Sequence, residues 1–211
     1  MKLSVPEWCC AIRYNDNSSG SILNDTEAEF VVIKNSLRYW CADPFLFKYK
    51  DKYYLFFEMF DRLKRKGLLG YREISETYIG KMKVIYECDT HLSYPFIYEK
   101  DGKICIIPES NDSKELFYLV CKQFPSKWEK ESVILNEHLV DTTLYNNDGT
   151  TFYISEKIIN KGVFDRVDLY YEESGKVVEC KSNPVKVDAT TARGAAKIFN
   201  YNGNLIRPSQ N

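Results

Sequence analysis

The chain has 211 residues and a formal net charge of -1 from 29 basic and 30 acidic residues, so no basic excess points to a nucleic-acid partner. Hydrophobic residues make up 44% and aromatics 15%, with 16 Tyr and 12 Phe, a composition that suits half-buried strands and fills a substantial core. No apolar run approaches membrane-spanning length, and Pro6 and Glu7 fall where a signal peptide needs a continuous apolar stretch.

The cysteines, seven in number, contain no CxxC pair, and several sit inside apolar runs such as GKICIIPE. Reduced, structural thiols in a cytoplasmic protein are expected from that usage, with no disulfide framework, no metal site and no cofactor.

In chain order, residues 1–39 read as an N-terminal segment whose WCCAIRY supplies a candidate closing strand, and residues 40–211 as repeating strand units. The first unit opens on DPFLFKYKDKYYLFFE, Asp43 to Glu58. MFDRLKRKG reads as a solvated loop, GLLGYREIS as an outer strand and Tyr78 to Tyr86 as another. The second unit opens on YPFIYEKDGKICIIPE, Tyr94 to Glu109, followed by ELFYLVCKQF as outer strand and SKWEKESVI as a short connection. The third opens on DTTLYNNDGTTFYISE, Asp141 to Glu156, with DRVDLYYEES behind it. A weaker fourth copy, AAKIFNYNGNLIRPSQ, covers Ala195 to Gln210.

Each copy runs from a polar or Pro-flanked start through an apolar triplet to a turn, and the first three close on glutamate after the same interval of 15 residues. The turns are Lys50-Asp51, Asp101-Gly102, Asp148-Gly149 and Asn202-Gly203, and Asp-Gly and Asn-Gly supply the positive φ of tight hairpins. Repeat starts lie 51, 47 and 54 residues apart, the spacing of propeller blades that each contain a strand hairpin. The alternative is a sandwich with coincidental hairpins.

Across a hairpin of this length the first and last residues face each other, which sets Asp43 against Glu58 and Asp141 against Glu156. If the hairpins are the inner halves of blades, Asp43, Glu58, Tyr94, Glu109, Asp141, Glu156 and Gln210 gather at one rim of a central channel. Trp40, His91 and His138 each precede their repeat start by three residues and join that rim. Carboxylates, imidazoles and an aromatic on one concave face suit a sugar, and paired carboxylates suit glycoside hydrolysis. Capping of exposed backbone amides is the alternative role for such carboxylates.

The signals ADPFLF, YLFFE, HLSYPFIYE, IIPES, FPSKW, LVDTTLY, NPV and IRPSQ occur here in that order. From about Trp40 to the C-terminus the chain thereby resembles the N-terminal domain of plant glucosamine inositolphosphorylceramide transferases and their bacterial relatives. That domain is similar to the five-bladed β-propellers of family-43 glycoside hydrolases. The resemblance implies an all-β propeller of the five-bladed type. This chain accommodates about three and a half blades plus its N-terminal segment, so the propeller is expected to be incomplete.

Transfer in the plant proteins is assigned to a separate C-terminal domain, so the resemblance does not carry transferase activity onto this sequence. It does imply that Asp43 matches the hydrolases' general base and Asp141 their helper aspartate. The proton-donor glutamate has no match: the corresponding TARGAAKIF carries Arg193, and a guanidinium cannot donate a proton at neutral pH. Either Glu109 or another rim glutamate replaces it, or the site binds without hydrolysing. Arg193 and Arg207 point to an anionic group on the ligand or to structural ion pairs with rim carboxylates.

The favoured expectation is a carbohydrate-binding or carbohydrate-active propeller, an accessory to glycan or glycolipid synthesis. Its ligand would be a glycan or sugar-containing small molecule, and its partner a glycosyltransferase or formyltransferase. The alternatives are an active glycosidase with a reassigned acid and a protein-binding scaffold.

Overall fold

The computed structural model describes residues 7–14, 29–160 and 164–210. Two short strands, β1 (Cys10–Ile12) and β2 (Val31–Ile33), form an antiparallel ribbon. Three larger antiparallel sheets follow. The first holds β3 (Tyr39–Tyr49), β4 (Lys52–Asp61), β5 (Lys66–Ser75) and β6 (Tyr78–Ile79) in that order, with β7 (Lys83–Tyr86) also on β5. The second runs β8 (Ser93–Lys100), β9 (Lys103–Glu109), β10 (Leu116–Gln123) and β11 (Lys127–Leu135). The third runs β12 (Leu139–Asn147), β13 (Thr150–Lys157), β14 (Arg166–Glu173) and β15 (Lys176–Glu179), with β16 (Lys186–Val187) on β14. A last hairpin pairs β17 (Phe199–Tyr201) with β18 (Asn204–Ile206). Among the described residues there is no α-helix.

Each sheet is an up-and-down blade, and the cores lie between successive blades. β4 shows why its sequence is apolar on consecutive residues rather than on alternate ones. Tyr54 and Phe56 enter a core shared with Phe96, Ile97 and Ile106 of the second blade. Leu55, Phe57 and Met59 point the other way, into a core closed by Cys10 and Ile33 of the ribbon. Side chains alternate faces along a strand, so burial on both faces requires an unbroken apolar run. A third core, with Ile107, Leu116, Leu139, Tyr153 and Tyr170, joins the second and third blades. The described residues thus form three blades and the inner hairpin of a fourth, an incomplete propeller.

The hairpin turns match their residues. Lys100 pairs with Lys103, Asn147 with Thr150 and Tyr201 with Asn204, leaving Asp-Gly, Asp-Gly and Asn-Gly at the tips with both φ angles positive. A further tip, Ser174-Gly175, joins β14 to β15 in the same geometry.

Two segments differ from their sequence reading. Apart from Ser126 in the preceding turn, SKWEKESVI belongs to a full strand, β11, on the blade's outer edge. Its charges mislead a loop assignment, because an edge strand carries lysines and glutamates on its open side while one residue, Trp128, anchors it. In MFDRLKRKG only Arg62–Arg65 forms the turn, since Asp61 is fully buried at the end of β4. There it accepts hydrogen bonds from Arg38 and from the Leu63 and Lys64 amides.

Candidate functional site

All three complete blades begin with the same backbone irregularity. Asp43, Tyr94 and Asp141 are left-handed, with φ of 49°, 43° and 49°. At each, the inner strand carries one extra residue. Ala42 opposes Glu58 while Phe45 opposes Phe56, Ser93 opposes Glu109 while Phe96 opposes Ile107, and Val140 opposes Glu156 while Thr143 opposes Ile154. The direct pairing expected of Asp43 with Glu58 and Asp141 with Glu156 is therefore displaced by one residue. These are β-bulges, which re-aim a side chain and interrupt the ladder. Asp tolerates left-handed backbone, and Pro44 or Pro95 at the next position lacks the amide that a ladder would use.

The bulges are linked around the rim. Asp43 Oδ2 accepts the Tyr94 amide at 3.2 Å, and Glu109 Oε2 accepts the Asp141 amide at 3.4 Å. Asp141 Oδ2 in turn accepts Arg193 Nε at 2.5 Å and Gln210 Nε2 at 3.4 Å. Each blade's carboxylate thus holds the start of the next, and the third holds the C-terminal segment.

Glu58 has a different partner. Gly67 donates its amide to His91 Nδ1 at 3.0 Å, which leaves the hydrogen on Nε2, 3.2 Å from Glu58 Oε1. That contact is not aligned as a hydrogen bond, so Glu58 Oε1 stays buried without a satisfied donor. Gly67 is required here, because a Cβ would lie 2.5 Å from the Leu92 carbonyl and 2.7 Å from Glu58 Oε1.

These groups surround an open cavity of about 640 Å³. Of the expected residues, Trp40, Asp43, Glu58, His91, Glu109, Arg193 and Gln210 line it. Trp40 stacks on Phe60 with ring centroids 4.5 Å apart. Asp141 sits behind the lining, bonded to Arg193. Tyr94 is buried with its hydroxyl 2.9 Å from Thr143 Oγ1. Glu156 is buried and accepts the Arg166 amide, and Arg207 donates to the carbonyls of Thr191 and Ala192. His138 stands outside the lining, its carbonyl accepting the Ile158 amide.

The repeat frame missed Trp8, Cys9, Phe60, Ser93 and Ala195, which also line the cavity. Phe60 was legible in principle, lying two residues beyond Glu58 on the same strand face. Trp8 was not, because it comes from outside the repeats; Asn35 Nδ2 fixes it by donating to its carbonyl at 2.7 Å, and its side chain remains exposed.

Electrostatically the cavity is acidic. Burial, then the charges of Asp141 and Glu58, push Asp43 up to about 6. Burial and the neighbouring Asp141 carboxyl hold Glu109 protonated well above the usual carboxylate range. Burial lowers His91, but the Glu58 carboxylate 3.2 Å from its Nε2 outweighs this and leaves it raised. Arg193 likewise loses by burial and gains more from Asp141. Among the described residues no three histidine, cysteine or carboxylate side chains are grouped to hold a metal ion, and no helix is long and apolar enough to cross a membrane.

The family profile described as glucosamine inositolphosphorylceramide transferase 1, N-terminal, matches residues 27–211. The glucosamine inositolphosphorylceramide transferase 1 proteins of Oryza sativa subsp. japonica and Arabidopsis thaliana are each 30% identical over 177 residues, which is 80% of this chain and 24% and 23% of theirs. The chain therefore spans about a quarter of the length of these relatives. Among solved structures, the Bacteroides ovatus xyloglucan PUL GH43B protein superposes with a TM-score of 0.59 at 14% identity, covering 86% of this chain and 42% of that one. A thermostable family-43 glycoside hydrolase gives 0.55 at 10% identity, covering 82% and 76%. Those likenesses support the propeller fold alone, whereas the profile extends over most of the sequence. The chain belongs to the family of glucosamine inositolphosphorylceramide transferase 1 N-terminal domains.

Proposed function

We propose that this propeller binds a glycan or another sugar-containing small molecule in the Asp43–Glu109 cavity, as an accessory to glycan or glycolipid synthesis and without standard hydrolase chemistry. The observation that carries this reading is Arg193. It stands where the resemblance expects a proton donor, and its guanidinium is bound to Asp141 at 2.5 Å, which would otherwise serve as a free helper carboxylate. What remains is a concave acidic surface with acceptors for hydroxyl groups and, in Trp8, an exposed indole on which a sugar ring can stack.

A second reading is favoured by one group. Glu109 lines the same cavity, and burial and the neighbouring Asp141 carboxyl raise it well above the usual carboxylate range, the direction a general acid opposite Asp43 requires. One experiment separates the two. Calorimetric titration with mono- and oligosaccharides should show binding that Asp43→Asn and Glu109→Gln each weaken about tenfold or more, a loss of about 1.4 kcal/mol. Aryl glycosides should not turn over. Turnover abolished by Glu109→Gln would establish the hydrolase instead, and sugar affinity unchanged in both variants would remove the site assignment.

A further inference from the structure

The fourth repeat carries Lys197 where the first and second carry Phe45 and Phe96. Its ammonium lies between two aromatic faces, 5.7 Å from the Phe47 ring centroid and 5.6 Å from that of Phe96. It lines a cavity of about 550 Å³ with Tyr98, Leu144, Tyr153 and the turn residues Asp101 and Gly149. The hairpin tips mark the end of the inner strands opposite to Asp43 and Glu109, so this cavity is separate from the acidic one.

Among the described residues Lys197 has no ion-pair partner. The carboxylates near the mouth are otherwise engaged or exposed. Glu172 is bound by Lys100 at 2.5 Å and by the Tyr153 hydroxyl at 2.7 Å, while Glu99 and Asp101 lie in solvent. Burial is the sole cause acting on the ammonium and lowers it to about 8, with no carboxylate near enough to offset the loss. Tyr98 and Tyr153 remain neutral phenols, since burial raises both. Lys197 is half-buried; aromatic faces compensate its partial desolvation only in part, and an anion entering the cavity would offset the rest.

We propose that this cavity is a second binding site, taking a phosphate or carboxylate group on a flat or apolar body. The anion would meet Lys197, and the body would lie against Phe96, Tyr98 and Leu144. This assignment is independent of the sugar reading, because it uses none of the same residues.

Phenyl phosphate and benzoate, with phenyl β-glucoside as neutral control, should be titrated into the full chain and followed by amide chemical shifts. Both anions, or the one whose chemistry the site prefers, are expected to shift residues around Lys197. A stronger phosphate response points to a phosphate ester and a stronger benzoate response to a carboxylate. Lys197→Met should weaken binding tenfold or more, with a thermal midpoint equal to or above that of the wild type. Lys197→Arg should keep the binding, and wild-type affinity should fall as the pH rises past about 8. Failure of both anions to bind, equal affinity in Lys197→Met, or equally tight binding of the glucoside would overturn the proposal.

Discussion

Burial and the neighbouring charges of Asp141 and Glu58 lift Asp43 to about 6, whereas an unfolded aspartate titrates near 3.9. Between about pH 4 and pH 6 the folded chain holds a proton that the unfolded chain has released. Stability from this group is therefore greatest below that window, falls as the pH rises through it and is level above. Asn at position 43 mimics the protonated side chain and can still accept the Tyr94 amide. Asp43→Asn is accordingly expected to stabilise the protein by about 1–3 kcal/mol at pH 7 and by little at pH 4, even as it weakens sugar binding. Thermal unfolding at the two pH values checks this, and a variant no more stable than wild type at pH 7 would show that Asp43 is not strained by its charge. Glu109 and Glu156 are raised too, so some decline with pH should persist in the variant.

A hairpin with a bulge behaves differently from a plain one. The extra residue at Asp43, Tyr94 and Asp141 turns one backbone amide per blade toward the rim, where a carboxylate of the preceding blade accepts it in two of the three cases. The third carboxylate, Asp141, instead ties the C-terminal segment through Arg193 and Gln210. That segment is closed by few other bonds, among them the Ala195 amide to the Pro208 carbonyl and the Gln210 amide to the Arg193 carbonyl. Asp141→Ala should therefore cost about 1–3 kcal/mol, since Arg193 is partly exposed and water can meet its freed guanidinium. Amide exchange at Ala195 and Gln210 should speed tenfold or more while β8–β10 stay protected. Unchanged exchange at those two amides would mean that packing, not Asp141, holds the segment.

Across the molecule, stability resides between blades rather than within them. Phe56 is fully buried and meets the rings of Tyr71 and Trp128, with centroids 5.9 and 5.8 Å away. Truncating it to alanine removes a ring from the interface that joins the first two blades. A loss of about 3–5 kcal/mol is expected, large against a domain stability of about 5–15 kcal/mol. The urea midpoint should drop with little change in slope, while Leu63→Ala in the exposed turn leaves it near the wild-type value. Equal effects of the two would contradict an interface core.

Sequence alone determined whatever depends on neighbours along the chain. The Asp-Gly and Asn-Gly tips, the interval of 15 and the aromatic strands specify hairpins, and their spacing specifies blades. The consecutive apolar residues of β4 even record that both of its faces are covered. Tertiary structure decided where each carboxylate points. The bulges displace Asp43 and Asp141 from their glutamates, Tyr94 and Glu156 turn inward, and Arg207 is spent on backbone carbonyls. Trp8 reaches the cavity, and Lys197 an opposite one, through packing that no local pattern announces. The reason is physical: hairpin geometry is set by torsions within a few residues, whereas a side chain's charge, exposure and partners are set by blades some 50 residues apart.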